Sequence, residues 1–136
     1  MKHKDVGLGF NKSVAVDLDG TLAQYDGWKG IDHIGDPLPG AKEFLTALKD
    51  KGYSIEIYTT RCNSHVNNQT AHHLAQRIYE WLRKHGLDDW PKVGVYARQG
   101  KPLADAYVDD KAVPCCPQEN ENAYEEALAR IDELCA

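Results

Sequence analysis

The stretch Ser13-Val-Ala-Val-Asp-Leu-Asp-Gly-Thr-Leu22 limits what this chain can fold into more than any other. Val14, Ala15 and Val16 form a short apolar run, the pattern of a strand buried on both faces. The run stops at Asp17, and a second carboxylate follows at Asp19. Gly20 then permits a tight turn that a residue with a Cβ would resist. Two acids at the end of a buried strand are costly unless a positive partner sits against them. A divalent cation is the simplest partner. A small, all-oxygen ligand set suits Mg²⁺, with waters and a phosphate completing its shell.

That geometry carries a chemical expectation. A carboxylate held beside Mg²⁺ and facing a phosphoryl group can attack it in line and form an aspartyl-phosphate. The cation neutralises charge that would otherwise repel an anionic nucleophile. A second carboxyl two residues on can protonate the leaving oxygen and later deprotonate water. Asp17 is therefore read as nucleophile and Asp19 as general acid/base. A calcium loop of the EF-hand type is the competing reading of Asp-Leu-Asp-Gly. There the glycine stands sixth and the loop lies between helices, whereas here it stands fourth and a strand precedes it.

At 136 residues the chain is expected to form one domain. Its net charge of −5 argues against general nucleic-acid binding, whose footprint is usually basic. No apolar run is long enough for a membrane span. The start, Met-Lys-His-Lys-Asp-Val-Gly, lacks an apolar signal core, so the cytoplasm is the expected compartment. Cys62, Cys115, Cys116 and Cys135 give no metal-binding spacing and are read as reduced thiols. His72 and His73 are neighbours and point about 100° apart on a helix, so they cannot chelate one metal together.

In chain order, residues 1–12 read as an N-terminal arm and 13–136 as the single domain. A glycine- and proline-bearing loop at about 23–39 carries Tyr25 and Trp28 and reads as a flap over the site. Ala41, Phe44, Leu45 and Leu48 give a helix with one apolar face, ended by Gly52. Tyr53–Thr59 reads as a second strand and Asn63–Asn68 as a polar turn. Leu74, Ile78, Trp81, Leu82 and His85 mark a second helix closed by Gly86. Val93–Ala97 and Ala106–Val108 are strands, the latter ending in Asp109-Asp110. Tyr124, Ala127, Leu128, Ile131 and Leu134 mark a last helix. Strands alternating with helices predict an α/β, Rossmann-like three-layer fold with a central, mostly parallel sheet. Sites in such sheets lie at the carboxyl ends of strands. Three strands here end in Asp, Thr and Asp-Asp.

These residues resemble the haloacid dehalogenase-like superfamily. Four signatures match in order: Asp17-x-Asp19-Gly-Thr21, Thr59 after an apolar strand, a lysine at Lys101, and Asp109-Asp110. The resemblance spans residues 13 to 113, and its first and fourth motifs are specific. The stretch from Lys101 to Ala112 is similar to small capless members, some tied to capsular polysaccharide genes. The resemblance implies that Thr59 and Lys101 hold the transferring phosphoryl oxygens. It implies that Asp17, the Asp19 carbonyl and Asp109 bind Mg²⁺ directly, with Asp110 acting through water or orienting the others. Lys92 and Lys111 compete for the lysine's place.

Asp19 selects among members of the superfamily. Dehalogenases lack this second acid, so its presence points to a phosphatase or phosphotransferase. The 17 residues from Ala23 to Pro39 leave no room for a cap domain. The expected substrate is a phosphorylated small molecule or phosphorylated sugar, with Thr60, Arg61 and Trp28 as candidate contacts and Arg98 and Tyr25 beside them. A receiver domain, which also uses Mg²⁺, acids, Thr and Lys, is a competing class that motif order argues against, since its acidic pair comes first. A phosphotransferase of the same superfamily and a catalytically silent member acting as a binding module are the alternatives. The sequence does not give the oligomeric state.

Overall fold

The computed structural model describes residues 12–63, 69–98 and 100–136. Most of the expected N-terminal arm, and Ser64–Asn68 of the expected polar turn with His65, lie outside the described residues. The elements are β1 (Ser13–Asp17), α1 (Ala41–Asp50), β2 (Ser54–Tyr58), a 3₁₀ turn (Thr60–Cys62), α2 (Ala71–Lys84), β3 (Val93–Val95), β4 (Ala106–Val108) and α3 (Ala123–Cys135). The element order follows the sequence reading. The strands β2 and β3 are a residue or two shorter than the apolar runs that mark them, β3 closing at Val95 instead of Ala97.

The four strands form one sheet in the order β3-β2-β1-β4, and every pairing is parallel. Registration aligns Val14 with Ile55 and Ala106, and Val16 with Ile57 and Val108. The chain runs outward from β1 through β2 to β3, then crosses back to lay β4 on the other side of β1. That reversal between β1 and β4 is where α/β sheets open a crevice at the carboxyl ends of their strands. Asp17 and Asp109 both emerge there. No cap domain is evident among the described residues.

Alternation along the strands sorts the two sheet faces. Val14, Val16, Ile55, Ile57 and Val93 face one side and pack with Leu45 of α1 and with Leu74, Ile78, Trp81 and Leu82 of α2. Leu45, Ile57, Ile78 and Leu82 are fully buried, each contributing about 1.5–3 kcal/mol relative to exposure. Thr70 caps α2 by accepting from the His73 backbone N–H at 3.1 Å, and Gly86 closes it at φ +69°. Helix α3 stands apart from this cluster. It buries Ala123 and Ala127 and leaves Tyr124, Leu128 and Ile131 exposed. Among the described residues no helix is long and apolar enough to cross a membrane. Because Ile78 has no exposure and belongs to the cluster that joins sheet and helices, Ile78→Ala is expected to cost about 2–5 kcal/mol, read as a lowered denaturation midpoint at unchanged slope. A loss under about 1 kcal/mol would mean that this face is not the main core.

Candidate active site

Parallel registration brings the acids together. Asp17 ends β1 opposite Tyr58 of β2, and Val16 lies beside Val108, so Asp109 and Asp110 follow β4 directly alongside Asp17. One carboxylate oxygen from each of Asp17, Asp109 and Asp110 lies within 4.8 Å of the others. Three oxygens this close fit a common hard cation with Mg²⁺–O distances of about 2.1 Å. The Asp19 carboxylate points elsewhere.

The surroundings hold the cluster in shape. The Thr21 hydroxyl lies 3.4 Å from Asp17 Oδ2 and 3.3 Å from Asp110 Oδ1, and accepts from the Asp110 backbone N–H at 3.1 Å. The Tyr58 hydroxyl donates to Asp109 Oδ2 at 2.8 Å. The Lys111 backbone N–H donates to Asp109 Oδ1 at 2.8 Å. Gly20 has φ +82°, and a Cβ there would stand 2.5 Å from Asp110 Oδ2. The glycine of the first motif thus serves both the turn and the close approach of the fourth.

Charge crowding shows in the acids themselves. Burial, with a hydrogen bond that the protonated carboxyl donates to Asp110 and with the charge of Asp109, pushes Asp17 up to about 7. Burial works to raise Asp110 as well, but its hydrogen bonds to Asp17 and Thr21 and the Lys111 ammonium hold it below the usual range on balance. Of the two, Asp17 is the acid that keeps its proton longer and Asp110 the one that gives it up first. Burial and the adjoining acids also push the Tyr58 phenol upward, so it stays a donor to Asp109.

The other expected site residues divide by location. Thr59 follows β2 and caps the 3₁₀ turn, its Oγ1 accepting from the Arg61 backbone N–H at 3.2 Å. Its hydroxyl can still donate to an incoming oxygen. Thr60 is exposed beside it. The Lys101 ammonium lies over the Tyr107 ring, 4.3 Å from its centroid. By alternation Tyr107 shares the sheet face of Asp17 and Tyr58, and its ring meets Tyr58 edge-on at 6.2 Å. Lys111, by contrast, places its ammonium 3.5 Å from Asp110 Oδ2 while 73% exposed. Lys92 precedes β3, at the far end of the sheet from the acids.

Arg61 is turned inward at 6% exposure. Its Nε and Nη2 grip Asp19 at 2.6 and 2.9 Å, and Nη2 also donates to the His33 carbonyl at 2.8 Å. Trp28 lies against the guanidinium at 4.9 Å and is 52% exposed. The loop at 23–39 is pinned at its root. Gln24 N–H donates to Asp36 O, Leu38 N–H to Leu22 O, and the Trp81 indole to Gly35 O. Its outward tip is residues 25–29. The cleft between this tip and the Asp19–Arg61 pair has a volume of about 30 Å³, room for about one water. A larger groove of about 700 Å³, lined by Ser13, Glu56, Trp90, Arg98 and Lys101, touches none of the three clustered acids. Cys62 is buried, which pushes its thiol up to about 11 and keeps it inert, and the four cysteines are free.

Thr21 and Tyr58 go unnamed as site residues by the sequence reading. Thr21 lies inside the first motif, so a signal existed. Tyr58 had none, because its role depends on strand register.

No protein-family model matches the chain. It is 33% identical over 75 residues to a protein from Chlorobaculum tepidum provisionally named a 5'(3')-deoxyribonucleotidase. That match covers 55% of this chain and 35% of the relative, so the chain spans about a third of the length of the curated relative it matches. The structure of a conserved protein from Bacteroides thetaiotaomicron shares the fold, with a TM-score of 0.53 and 22% identity over 84% of this chain and 90% of that one. A D,D-heptose 1,7-bisphosphate phosphatase from B. bronchiseptica, complexed with magnesium and phosphate, is more distant. It has a TM-score of 0.38 and 17% identity over 89% of this chain and 64% of that one.

Proposed function

We propose that this chain, haloacid dehalogenase-like in the order of its motifs and in its Rossmann-like fold, is a Mg²⁺-dependent phosphatase that hydrolyses a phosphate monoester. The observation that carries the reading is the convergence of Asp17, Asp109 and Asp110 at the β1/β4 crevice, with Thr59 at the end of the neighbouring strand. Their oxygens are the donor set a hard cation takes, and when bound it would neutralise phosphate charge facing an anionic nucleophile.

The chain's own residues supply the rest. Asp17 attacks phosphorus in line, making a P–O bond while the bond to the leaving oxygen breaks. Asp19 gives the leaving oxygen its proton, then takes one from the water that attacks the aspartyl-phosphate. That second attack releases phosphate and restores Asp17. Thr59 donates to a phosphoryl oxygen, and Lys101, on the Asp17 face, brings a mobile positive charge on a flexible stem. Tyr58 and Thr21 orient the acids.

Deoxyribonucleotides, by the name of the Chlorobaculum relative, and sugar phosphates are the substrates to try first. The test is phosphate release from an aryl phosphate and from such a panel, with and without Mg²⁺. No release from any of them in Mg²⁺ would remove the reading.

Trp28 is half exposed, so it is not a core residue, and the part of its ring not against Arg61 is open to a base or sugar. Trp28→Ala is expected to raise KM several-fold for the best panel substrate and to leave kcat unchanged, the pattern of lost uniform binding. The stability cost should stay under about 1 kcal/mol, the worth of its contact with Arg61. Equal losses on aryl phosphate and panel substrate would take Trp28 out of recognition.

A further inference from the structure

We propose that Arg61 is a positioning residue that ties the flap to Asp19, so that the loop tip and the candidate general acid move as one unit. The inference rests on the reading of Asp19 as acid/base and goes beyond the expectation that Arg61 contacts substrate. One guanidinium makes every contact in question. It holds both carboxylate oxygens of Asp19, at 2.6 and 2.9 Å. It also meets the flap carbonyls of His33 at 2.8 Å and Gly30 at 3.5 Å. Its face lies against Trp28.

A planar, five-donor fork can bridge a carboxylate and two carbonyls at once, which an ammonium cannot. Arg61 is also buried and its side chain leads from the 3₁₀ turn after β2, a rigid root. Moving the inner arm of the flap, which carries the Gly30 and His33 carbonyls, takes two acceptors from a buried cation and loosens the frame that fixes its two-point grip on Asp19. The converse also holds. While the grip is intact, both Asp19 oxygens are engaged and the adjoining cleft admits about one water. With the grip intact Asp19 is held in one place, and without it the carboxylate is free to turn away from a leaving oxygen. Among the flap's acids, Asp26 lines the same cleft and accepts from Gln24 Nε2 at 3.1 Å, and Asp32 is paired with Arg77 of α2 at 3.3 Å.

The experiment compares Arg61→Ala, Arg61→Lys, Asp19→Asn and the double variant Arg61→Ala/Asp19→Asn on an alkyl and an aryl phosphate in Mg²⁺. Trypsin cleavage after the exposed Lys29 reports the flap. Asp19→Asn alone tests the underlying reading, because loss of an acid must hurt the alkyl phosphate more. Arg61→Ala is expected to lower the alkyl-to-aryl ratio of kcat/KM about 10-fold, as disordering of an acid does, and to speed cleavage after Lys29. The double variant should be no slower on the alkyl phosphate than Asp19→Asn, since residues that act as a unit are not additive. Arg61→Lys, which keeps charge but not the bridge, should sit between Arg61→Ala and the parent. It also carries the test if the alanine variant does not fold. Additive losses with an unchanged alkyl-to-aryl ratio, or unchanged cleavage after Lys29, would overturn the proposal even where Asp19→Asn behaves as an acid variant.

Discussion

Asp17→Asn should show no hydrolysis above background on any phosphate monoester, aryl or alkyl, at any Mg²⁺ concentration. An amide is a poor nucleophile and a weaker ligand, so the change would remove both of the functions proposed for Asp17 at once. The variant should still fold. Asp17 sits at the rim of the sheet, half-buried, with its hydroxyl contact to Thr21 at a long 3.4 Å. The same substitution should alter how the metal-free protein responds to pH. The Asp17 carboxyl is raised in the fold from an ordinary 3.8 to about 7, so the folded state binds its proton more tightly than the unfolded chain does. Its contribution to stability is complete below about pH 4 and is lost as pH rises through about 7. In chelator, the parent's melting temperature should therefore fall between about pH 5 and 8, and Asp17→Asn should flatten that fall. Retained turnover of even about 1% with a normal melting curve would show that the nucleophile lies elsewhere.

What the sequence made legible is what short-range pattern controls. Strand β1 reads as an apolar run because its three central residues are buried, and β2 as an alternation because only Ile55 and Ile57 are; the runs stop at polar residues, so Asp17, Thr59 and Asp109 could be placed at strand ends before any strand was paired. The helices followed from spacing and from Gly52 and Gly86 at their ends. Pairing itself was not legible. Tyr58 reaches Asp109 only because β2 lies one strand from β4, across β1. Arg61 meets Asp19 across 42 residues, a contact that no local pattern encodes. Helix α3 makes the same point from the opposite side. Its period of apolar residues correctly marks a helix, but period says nothing about cover, and Tyr124 and Leu128 stay exposed. The lysine is an intermediate case. Motif order points to Lys101, while the ammonium found against the acids is that of Lys111, an exposed charge drawn to Asp110.

Removing the divalent cation should silence the protein, and Asp109→Asn should make the cation far harder to restore. Chelator is expected to bring phosphate release to background, and added Mg²⁺ to recover it in full. The three acids explain why: without a cation they repel one another, and the raised Asp17 carboxyl keeps its proton up to about pH 7, which blocks it as a nucleophile. Asp109 is the better held of the β4 pair, fixed on one oxygen by Tyr58 and on the other by the Lys111 backbone N–H. Replacing it removes a charged ligand and leaves the Tyr58 hydroxyl facing an amide. The Mg²⁺ needed for half-maximal rate should rise by about 100-fold or more. Tyr58→Phe, which removes only the orienting hydrogen bond, should raise it by about 10-fold, at the lower end of what such supporting groups contribute. The order of the two variants is the decisive point. If Tyr58→Phe weakened Mg²⁺ more than Asp109→Asn did, Asp109 would not be a ligand, and the cation would have to be held by Asp17 and Asp110 alone.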